Sequence, residues 1–227
     1  MEYKMTFPIT KKNRQLITKI DKKIKLKMKN NKTYVKTQFF QKRLIDFIVG
    51  GSLLLVSIPV MLYTIFRIKK ESPGPIFFKQ SRIGLNGKAF MCYKFRSMHV
   101  NSKFNPYTQE NDSRIFPFGN TMRKMRIDEL PQLLNILKGE MHLIGPRAEW
   151  DILVKDYEKI IPNYHERHTV APGITGLAQV CHPYGRNVDD AKKKLEYDIE
   201  YITNWSLKKE LMVIFKTIKV VLGKEGL

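Results

Sequence analysis

The stretch Phe47–Phe66, FIVGGSLLLVSIPVMLYTIF, decides how this protein is organised, because it contains no charged residue. As one straight helix these residues would be about 30 Å long, just enough to cross the hydrocarbon core of a bilayer. Core helices of soluble proteins rarely run this long without a polar face. The stretch therefore predicts a segment inserted in a membrane.

The path of this segment follows from its proline and from the charges at its two ends. Pro59 lies inside it, and a proline removes a helical hydrogen bond and bends or breaks a helix. Lys42 and Arg43 precede the segment, and Arg67 and Lys70 follow it, so positive charge favours the cytoplasmic side at both ends. A helix that crosses the bilayer once would explain the length of the segment, but not its proline or the positive charge at both ends. We predict a re-entrant helix that is broken at Pro59 and leaves by the face it entered.

The segment divides the chain into three parts. Residues 1–40 form a basic arm, because residues 1–43 carry 14 Lys and Arg but only two acidic residues. A solvated tail without a dedicated role is the alternative for this arm, and a cleavable signal peptide is not predicted. Residues 41–70 form the membrane-inserted helix. Residues 71–227 form a cytoplasmic domain.

Composition limits the class of protein. The net charge is +20, and the chain has only 2 Cys, which excludes a disulfide framework. Aromatic residues make up 11% of the chain, which excludes disorder throughout. The positive charge predicts acidic partners, which are nucleic acid, anionic lipid or phosphate-bearing substrates. Composition alone does not choose among them.

The pattern of apolar residues in the third part predicts an α+β fold. Short strands are expected at 76–80 and 88–95 with a turn at 84–87, and a loop at 101–111. A helix over 130–137 should end at Gly139, and further helices are predicted at 149–160, 189–204 and 207–222. The fold is then a re-entrant membrane helix plus a small, mostly helical domain with short strands. The Lys-rich amphipathic helices suit a membrane interface, although they equally suit covering a core.

The densest cluster of reactive side chains is Arg123–Pro131, RKMRIDELP. Pro131 is typical of a first helical turn, which places Asp128 and Glu129 at a helix start behind several cations. Asp128 as a helix cap and Glu129 as a dipole partner is the purely structural interpretation. The functional interpretation is an anion site in which one carboxylate holds a divalent cation while its neighbour attacks phosphorus.

Two further segments favour phosphate binding. Lys94 and Arg96 alternate around Phe95, so an extended strand would place both cations on one side. Arg147 follows Gly145 and Pro146 in a rigid turn, and its planar guanidinium suits a diphosphate. Taken singly, each of these cations is better explained as a surface charge.

Six motifs occur in this order between residues 41 and 225. They are Lys42-Arg43-x-x-Asp46, Tyr93-Lys94-Phe95-Arg96-Ser97-Met98, Asp128-Glu129-Leu130-Pro131-Gln132, Asn135-x-Leu137-Lys138-Gly139-Glu140-Met141, Gly145-Pro146-Arg147 and Pro172-Gly173-Ile174-Thr175-Gly176-Leu177-Ala178-Gln179-Val180. Together they resemble the bacterial sugar transferases that start glycan assembly on polyprenyl phosphate, the monotopic phosphoglycosyl transferases.

The resemblance implies a reaction and a location. The family transfers a sugar 1-phosphate from a UDP-sugar to undecaprenyl phosphate and releases UMP, the first membrane step of exopolysaccharide or capsule synthesis. By position, Asp128 would be the nucleophile that forms a phosphosugar–aspartyl intermediate, and Glu129 would bind Mg²⁺. The expected substrate-binding cations are Lys94, Arg96, Arg123, Arg147 and Arg186. The protein would lie in the bacterial cell membrane with residues 71–227 as its catalytic domain on the cytoplasmic face.

The chain departs from the family pattern near some of these positions. Ile58 precedes Pro59 where the family usually has serine, Ala148 replaces the second proline of Pro-Arg-Pro, and Leu177 replaces a tryptophan. Two alternatives also remain: a non-enzymatic basic adaptor on the membrane surface, and a glycosyltransferase that attacks the anomeric carbon and releases UDP. Nucleic acid is not an expected partner, because no RNA- or DNA-binding motif is present. The sugar and the oligomeric state stay open.

Overall fold

The computed structural model describes residues 34–100, 102, 112–182 and 188–223. The predicted arm up to residue 33, most of the predicted loop 101–111, and Arg186 lie outside the described residues.

The described residues form a mostly helical fold with short strands, as predicted. The helices are α1 (Tyr34–Glu71), α2 (Pro117–Lys124), α3 (Gln132–Lys138), α4 (Asp151–Ile160), α5 (Leu177–Cys181), α6 (Val188–Thr203) and α7 (Leu207–Leu222). The strands are β1 (Phe77–Ile83), β2 (Ala89–Phe95), β3 (His142–Ile144) and β4 (Gly173–Thr175). Strands β1 and β2 pair antiparallel, whereas β3 and β4 pair parallel. Short 3-10 helices lie at Leu85–Gly87, Ile127–Glu129 and Tyr164–Thr169.

The helices with clear apolar periodicity are confirmed. Helix α7 has the predicted bounds, and α3 ends at Gly139, which adopts a left-handed conformation with φ of 85°. The β1–β2 hairpin is also confirmed, with β1 extending to Ile83. The parallel pair was not predicted, because three-residue strands are too short to show a period in sequence.

Helix α1 continues through Pro59, whereas the sequence predicted a break there. A proline lacks the N–H that would bond to the carbonyl four residues earlier, here that of Leu55, but its fixed φ is compatible with a helix, so a helix can continue past it. Helix α1 is therefore uninterrupted from Tyr34 to Glu71, and the re-entrant path stays a prediction.

One stripe of α1 faces the rest of the domain along almost its whole length. The buried or half-buried positions of this stripe are Lys42, Asp46, Gly50, Leu54, Ser57, Met61, Thr64 and Ile68. Their spacing of three or four residues is that of one helical face. Most of the other apolar side chains of α1 between Leu44 and Phe66 are exposed.

Both ends of α1 are joined to the domain by polar contacts. At its first half, Lys42 Nζ donates to Tyr201 Oη over 2.7 Å and to Glu210 Oε1 over 2.8 Å. Asp46 accepts hydrogen bonds from the His142 ring and from Leu143 N in β3. At its last turn, Glu71 Oε2 accepts from Phe118 N at the start of α2. The helix is thus held along the domain.

Gly50 permits the close approach of α1 to α3. A Cβ atom at this position would lie 3.3 Å from Ile136 Cγ2. We therefore expect Gly50→Leu to lower the free energy of unfolding by about 1–3 kcal/mol through overpacking. Thermal unfolding in detergent measures this effect. Ser52→Leu, which adds the same side chain to an exposed position of the helix, is the matched control. Equal midpoints for both variants would contradict the tight α1–α3 contact.

Candidate active site

The acid pair lies in a short turn between α2 and α3. Asp128 and Glu129 belong to the 3-10 helix Ile127–Glu129, which the chain enters through Arg126 with a left-handed φ of 58°. The residue that precedes α3 is Pro131, and no side chain caps that helix. The interpretation of Asp128 as a helix cap is therefore wrong. Both acids are buried, although short turns usually expose such side chains.

Glu129 is surrounded by three cations. Its Oε1 lies 2.7 Å from Lys94 Nζ, 3.4 Å from Arg147 Nη2 and 3.7 Å from Arg126 Nη1. Burial alone would raise the pKa of Glu129, but Lys94, Arg147 and Arg126 outweigh this effect and hold that pKa well below its usual value. Glu129 is therefore ionised at neutral pH.

Asp128 has a different environment. Its Oδ1 is buried and has no hydrogen-bond partner among the described residues. Burial raises the pKa of Asp128, and the neighbouring Glu129 charge raises it further, while Lys94, Arg123 and Arg126 act in the opposite direction. A buried carboxylate with an oxygen that lacks a donor is poorly solvated at that oxygen, and hence more basic and more nucleophilic than a carboxylate in water. The pKa is thus raised at Asp128 and lowered at Glu129, although the two residues are adjacent.

Lys94 reaches the pair because β2 is attached to α3. Asn135, which is completely buried in α3, accepts from Tyr93 N over 3.1 Å and donates to Met91 O over 2.7 Å. These bonds fix the end of β2 beside the turn that carries the acids. Burial lowers the pKa of Lys94, and Glu129 and Asp128 counteract this shift.

Arg147 reaches the pair from the end of β3, where two chain segments approach closely. Gly173 N donates to Pro146 O over 2.8 Å, and Gly145 N donates to Thr175 O over 2.9 Å. A Cβ atom at Gly173 would lie 2.1 Å from Gly145 N, so a larger residue does not fit there. The motif that begins at Pro172 therefore supports the segment that carries Arg147.

The structure does not bring all the predicted binding residues together. Lys94 and Arg147 contact Glu129, and Arg123 lies close enough to Asp128 for their charges to interact. Arg96 instead is buried elsewhere, where its guanidinium donates to the Ser72 hydroxyl, Ser72 O and Pro75 O. It joins the end of β2 to the segment after α1. Its role as a substrate ligand finds no support in this geometry.

Some residues of the site were not singled out from the sequence. Arg126 lies in the predicted cluster, where its backbone is left-handed and its guanidinium lies 3.7 Å from Glu129 Oε1. Arg82 and Arg167 hold the backbone of residues 147 and 148, and no local pattern indicates this. Such contacts join distant parts of the chain, so a single sequence carries no signal for them.

Few side chains of this site could serve as metal ligands. Among the described residues, no three His, Cys, Asp or Glu side chains come together as a metal site. The acid pair offers two neighbouring carboxylates, one with a buried oxygen that lacks a partner. Mg²⁺ commonly binds through one or two carboxylates and completes its shell with substrate phosphate and water. The pair fits such a shared site and does not fit a cage made by protein alone.

Among the described residues, α1 is long and apolar enough to cross a membrane. Residues 37–224 match the bacterial sugar transferase family, so the chain belongs to this family. The resemblance noted in the sequence is confirmed.

Several relatives are close in sequence. The chain is 45% identical over 189 residues to the UDP-N-acetylgalactosamine-undecaprenyl-phosphate N-acetylgalactosaminephosphotransferase of Aeromonas hydrophila, covering 82% of this chain and 45% of that protein. It is 38% identical over 181 residues to the UDP-glucose:undecaprenyl-phosphate glucose-1-phosphate transferase of Escherichia coli (strain K12), covering 78% of this chain and 39% of that protein. An exopolysaccharide production protein of Rhizobium leguminosarum bv. phaseoli is 40% identical over 185 residues, 78% of this chain and 92% of the relative. The chain thus spans less than half the length of the Aeromonas and Escherichia relatives.

Proposed function

We propose that this protein transfers a sugar 1-phosphate from a UDP-sugar to undecaprenyl phosphate. The observation that carries the proposal is the acid pair itself, in which a buried Asp128 carboxylate with one unpartnered oxygen lies beside a Glu129 held ionised by cations. The names of the Aeromonas and Escherichia relatives, which state this type of reaction for two different sugars, support it. The sugar that this chain prefers does not follow from either observation.

The proposed reaction has two steps. An Asp128 carboxylate oxygen attacks the β-phosphorus of the UDP-sugar, the bond to the bridging oxygen breaks, and UMP leaves with the electron pair. An oxygen of undecaprenyl phosphate then attacks the same phosphorus, and the Asp128 carboxylate leaves. The bond between the anomeric carbon and oxygen is never broken, so the anomeric configuration is retained. Two steps also mean that the polar donor and the lipid acceptor need not bind together.

The cations around the pair have a defined task in this scheme. An anionic nucleophile and a diphosphate repel each other, and fixed positive charges offset this repulsion. Lys94, Arg123 and Arg147 supply such charge, and Glu129 with the donor diphosphate would hold Mg²⁺. When bound, Mg²⁺ would neutralise charge that develops on the leaving phosphate.

The placement at the membrane is part of the proposal. Helix α1 is attached to the domain at both Lys42 and Glu71. A helix that spans the bilayer would place these two residues on opposite sides of about 30 Å of hydrocarbon, and a domain on one side could not contact both. The exposed apolar side chains of α1 are therefore proposed to enter the bilayer from the cytoplasmic face only. Helix α7 adds a second apolar surface, formed by Leu207, Leu211, Ile214, Phe215, Ile218 and Leu222. The arrangement holds the acid pair near the headgroups, where a lipid phosphate lies.

A labelling experiment tests this placement. Phe40→Cys and Lys70→Cys, made singly after Cys92 and Cys181 are replaced by serine, put one exposed thiol at each end of α1. We expect a membrane-impermeant maleimide to label both in inverted membrane vesicles and neither in intact cells. Labelling of either residue from outside intact cells would show that α1 spans the membrane.

Nucleotide release tests the reaction. Detergent-solubilised protein, undecaprenyl phosphate and Mg²⁺ are incubated with a panel of UDP-sugars, and the nucleotide product is identified. We expect UMP with at least one donor. UDP as the product would indicate attack at the anomeric carbon instead. No product from folded protein across a broad panel would favour the non-enzymatic adaptor.

A further inference from the structure

Two arginines outside the acid pair hold the backbone next to Arg147. Nη2 of Arg167 donates to Arg147 O over 3.0 Å, and Nη1 of Arg82 donates to Ala148 O. The two carbonyl groups belong to consecutive residues, whereas the donors come from β1 and from the 3-10 helix Tyr164–Thr169. The backbone that carries Arg147 is therefore fixed from two separate parts of the fold.

Arg167 is itself immobilised by its other contacts. It is 3% exposed, and its Nη2 lies 2.7 Å from Asp198 Oδ2 in α6. Its Nη1 donates to the hydroxyl group of Tyr164. A buried guanidinium is costly unless its charge is paired, and Asp198 supplies the pairing charge. The planar fork of arginine can serve these three groups together, which a lysine ammonium cannot do with the same geometry.

Arg82 has a different set of acceptors. Besides Ala148 O, its guanidinium donates to the Gln80 side chain, with Nη2 to Oε1 at 3.1 Å. No carboxylate lies within ion-pairing distance of Arg82 in the part of the chain that the structure describes. Arg82 thus fixes a carbonyl group in the neighbourhood of Arg147, and Glu149 and Glu129 are close enough for their charges to offset part of its own. Burial lowers the pKa of Arg82 and the Arg147 charge lowers it further, while Glu149 and Glu129 act in the opposite direction.

The two contacts supply the rigidity that the sequence around Arg147 lacks. Pro146 restricts the backbone before Arg147, but Ala148 leaves the following residue without the restriction that a proline would impose. The guanidinium of Arg147 lies 3.4 Å from Glu129 Oε1, so its reach depends on where its own Cα is held. An error of 1 Å in such a position can cost about a hundredfold in a reaction.

We propose that Arg82 and Arg167 are positioning residues for Arg147, which fix its backbone so that its guanidinium meets the diphosphate of the donor. This inference rests on the proposed function for the identity of that ligand. It requires that the two arginines act through Arg147 and do not contact the ligand themselves.

A double-mutant cycle with inorganic pyrophosphate tests the proposal. Its dissociation constant is measured by calorimetry on the full chain in detergent, for Arg82→Gln, Arg147→Ala and the double variant. We expect Arg82→Gln to weaken binding about tenfold when Arg147 is present and less than about twofold in the Arg147→Ala background. Arg82→Lys, which can still donate to Ala148 O, should recover most of the loss.

Arg43→Gln is the matched control. Arg43 also donates to two consecutive carbonyl groups, those of Ile136 and Leu137, but at the far end of α3 from the acid pair. Its loss should lower thermal stability and leave pyrophosphate binding unchanged in both backgrounds. Arg167→Lys, which keeps the charge opposite Asp198, should behave as Arg82→Gln does and show the same dependence on Arg147.

Three results would overturn the proposal. They are equal losses for Arg82→Gln with and without Arg147, unchanged binding in Arg82→Gln and Arg167→Lys, and no binding of pyrophosphate by the unaltered protein. Pyrophosphate carries no sugar and no nucleotide, so this cycle does not depend on the transfer reaction. A protein that shows the coupling but releases no UMP would refute the proposed function alone.

Discussion

Asp128→Asn is expected to abolish transfer, with a loss in kcat on the order of 10⁴-fold or more. The amide is close to the carboxylate in size but cannot attack phosphorus, and loss of the nucleophile removes both proposed steps. UMP release in the presence of undecaprenyl phosphate measures the loss. A donor labelled in its β-phosphate should in addition label the unaltered protein when acceptor is withheld, and it should not label the variant.

The stability of Asp128→Asn distinguishes a chemical role from a structural one. The Asp128 carboxylate is buried with one oxygen unpartnered, and burial raises its pKa, so its charge costs folding free energy at neutral pH. The neutral variant should therefore unfold at the same temperature or a higher one. Asp156→Asn, which removes a surface carboxylate that pairs with Lys159, is the control and should keep full activity. An inactive variant that is also strongly destabilised would contradict the assignment of Asp128 as nucleophile.

Lys94→Met is expected to lower kcat/KM by about 10²–10³-fold. Lys94 Nζ is 2.7 Å from Glu129 Oε1, and a fixed charge that faces the reacting phosphate is worth several kcal/mol in a site shielded from water. Steady-state kinetics with the preferred UDP-sugar measures the effect. Lys79→Met removes an exposed lysine from β1 and should change kcat/KM less than about twofold.

The same variant should shift the pH dependence of the reaction. Lys94 lowers the pKa of both Glu129 and Asp128, since a nearby cation favours the ionised form of a carboxyl group. Without Lys94 both pKa values rise, so the acid limb of the kcat/KM profile should move to higher pH. Lys94→Arg, which keeps the charge, should shift the limb less. An unchanged limb in Lys94→Met would show that neither carboxyl group controls activity.

The pKa shift of Glu129 also has a consequence for stability. The folded-state pKa of Glu129 is depressed, so its contribution is fully present above the ordinary glutamate pKa and is lost as the pH falls through the lower folded value. Glu129 therefore adds to acid sensitivity as the pH falls from the ordinary glutamate pKa to the lower folded value, and not at higher pH.

Local features of the fold could be predicted because their causes act over a few residues. Helix α7 shows its apolar period within its own length, and Gly139 ends α3 by allowing a left-handed backbone. The acid pair could also be found, since adjacent acids between cations are visible in one short stretch. Arg96 shows the limit of such reasoning, because alternation along a strand does not reveal which partners a side chain meets.

The uncharged stretch Phe47–Phe66, the helical periods and the order of the motifs were determined by the sequence alone, because hydrophobicity and helix propensity are properties of neighbouring residues. Only the tertiary structure determined which side chains pair with one another. Lys94 and Glu129 are 35 residues apart, and Lys42 and Glu210 are 168 residues apart. These contacts form only when packing brings separate elements together and buries their charges, so the attachment of α1 at both ends and the cations of the acid pair belong to the folded protein.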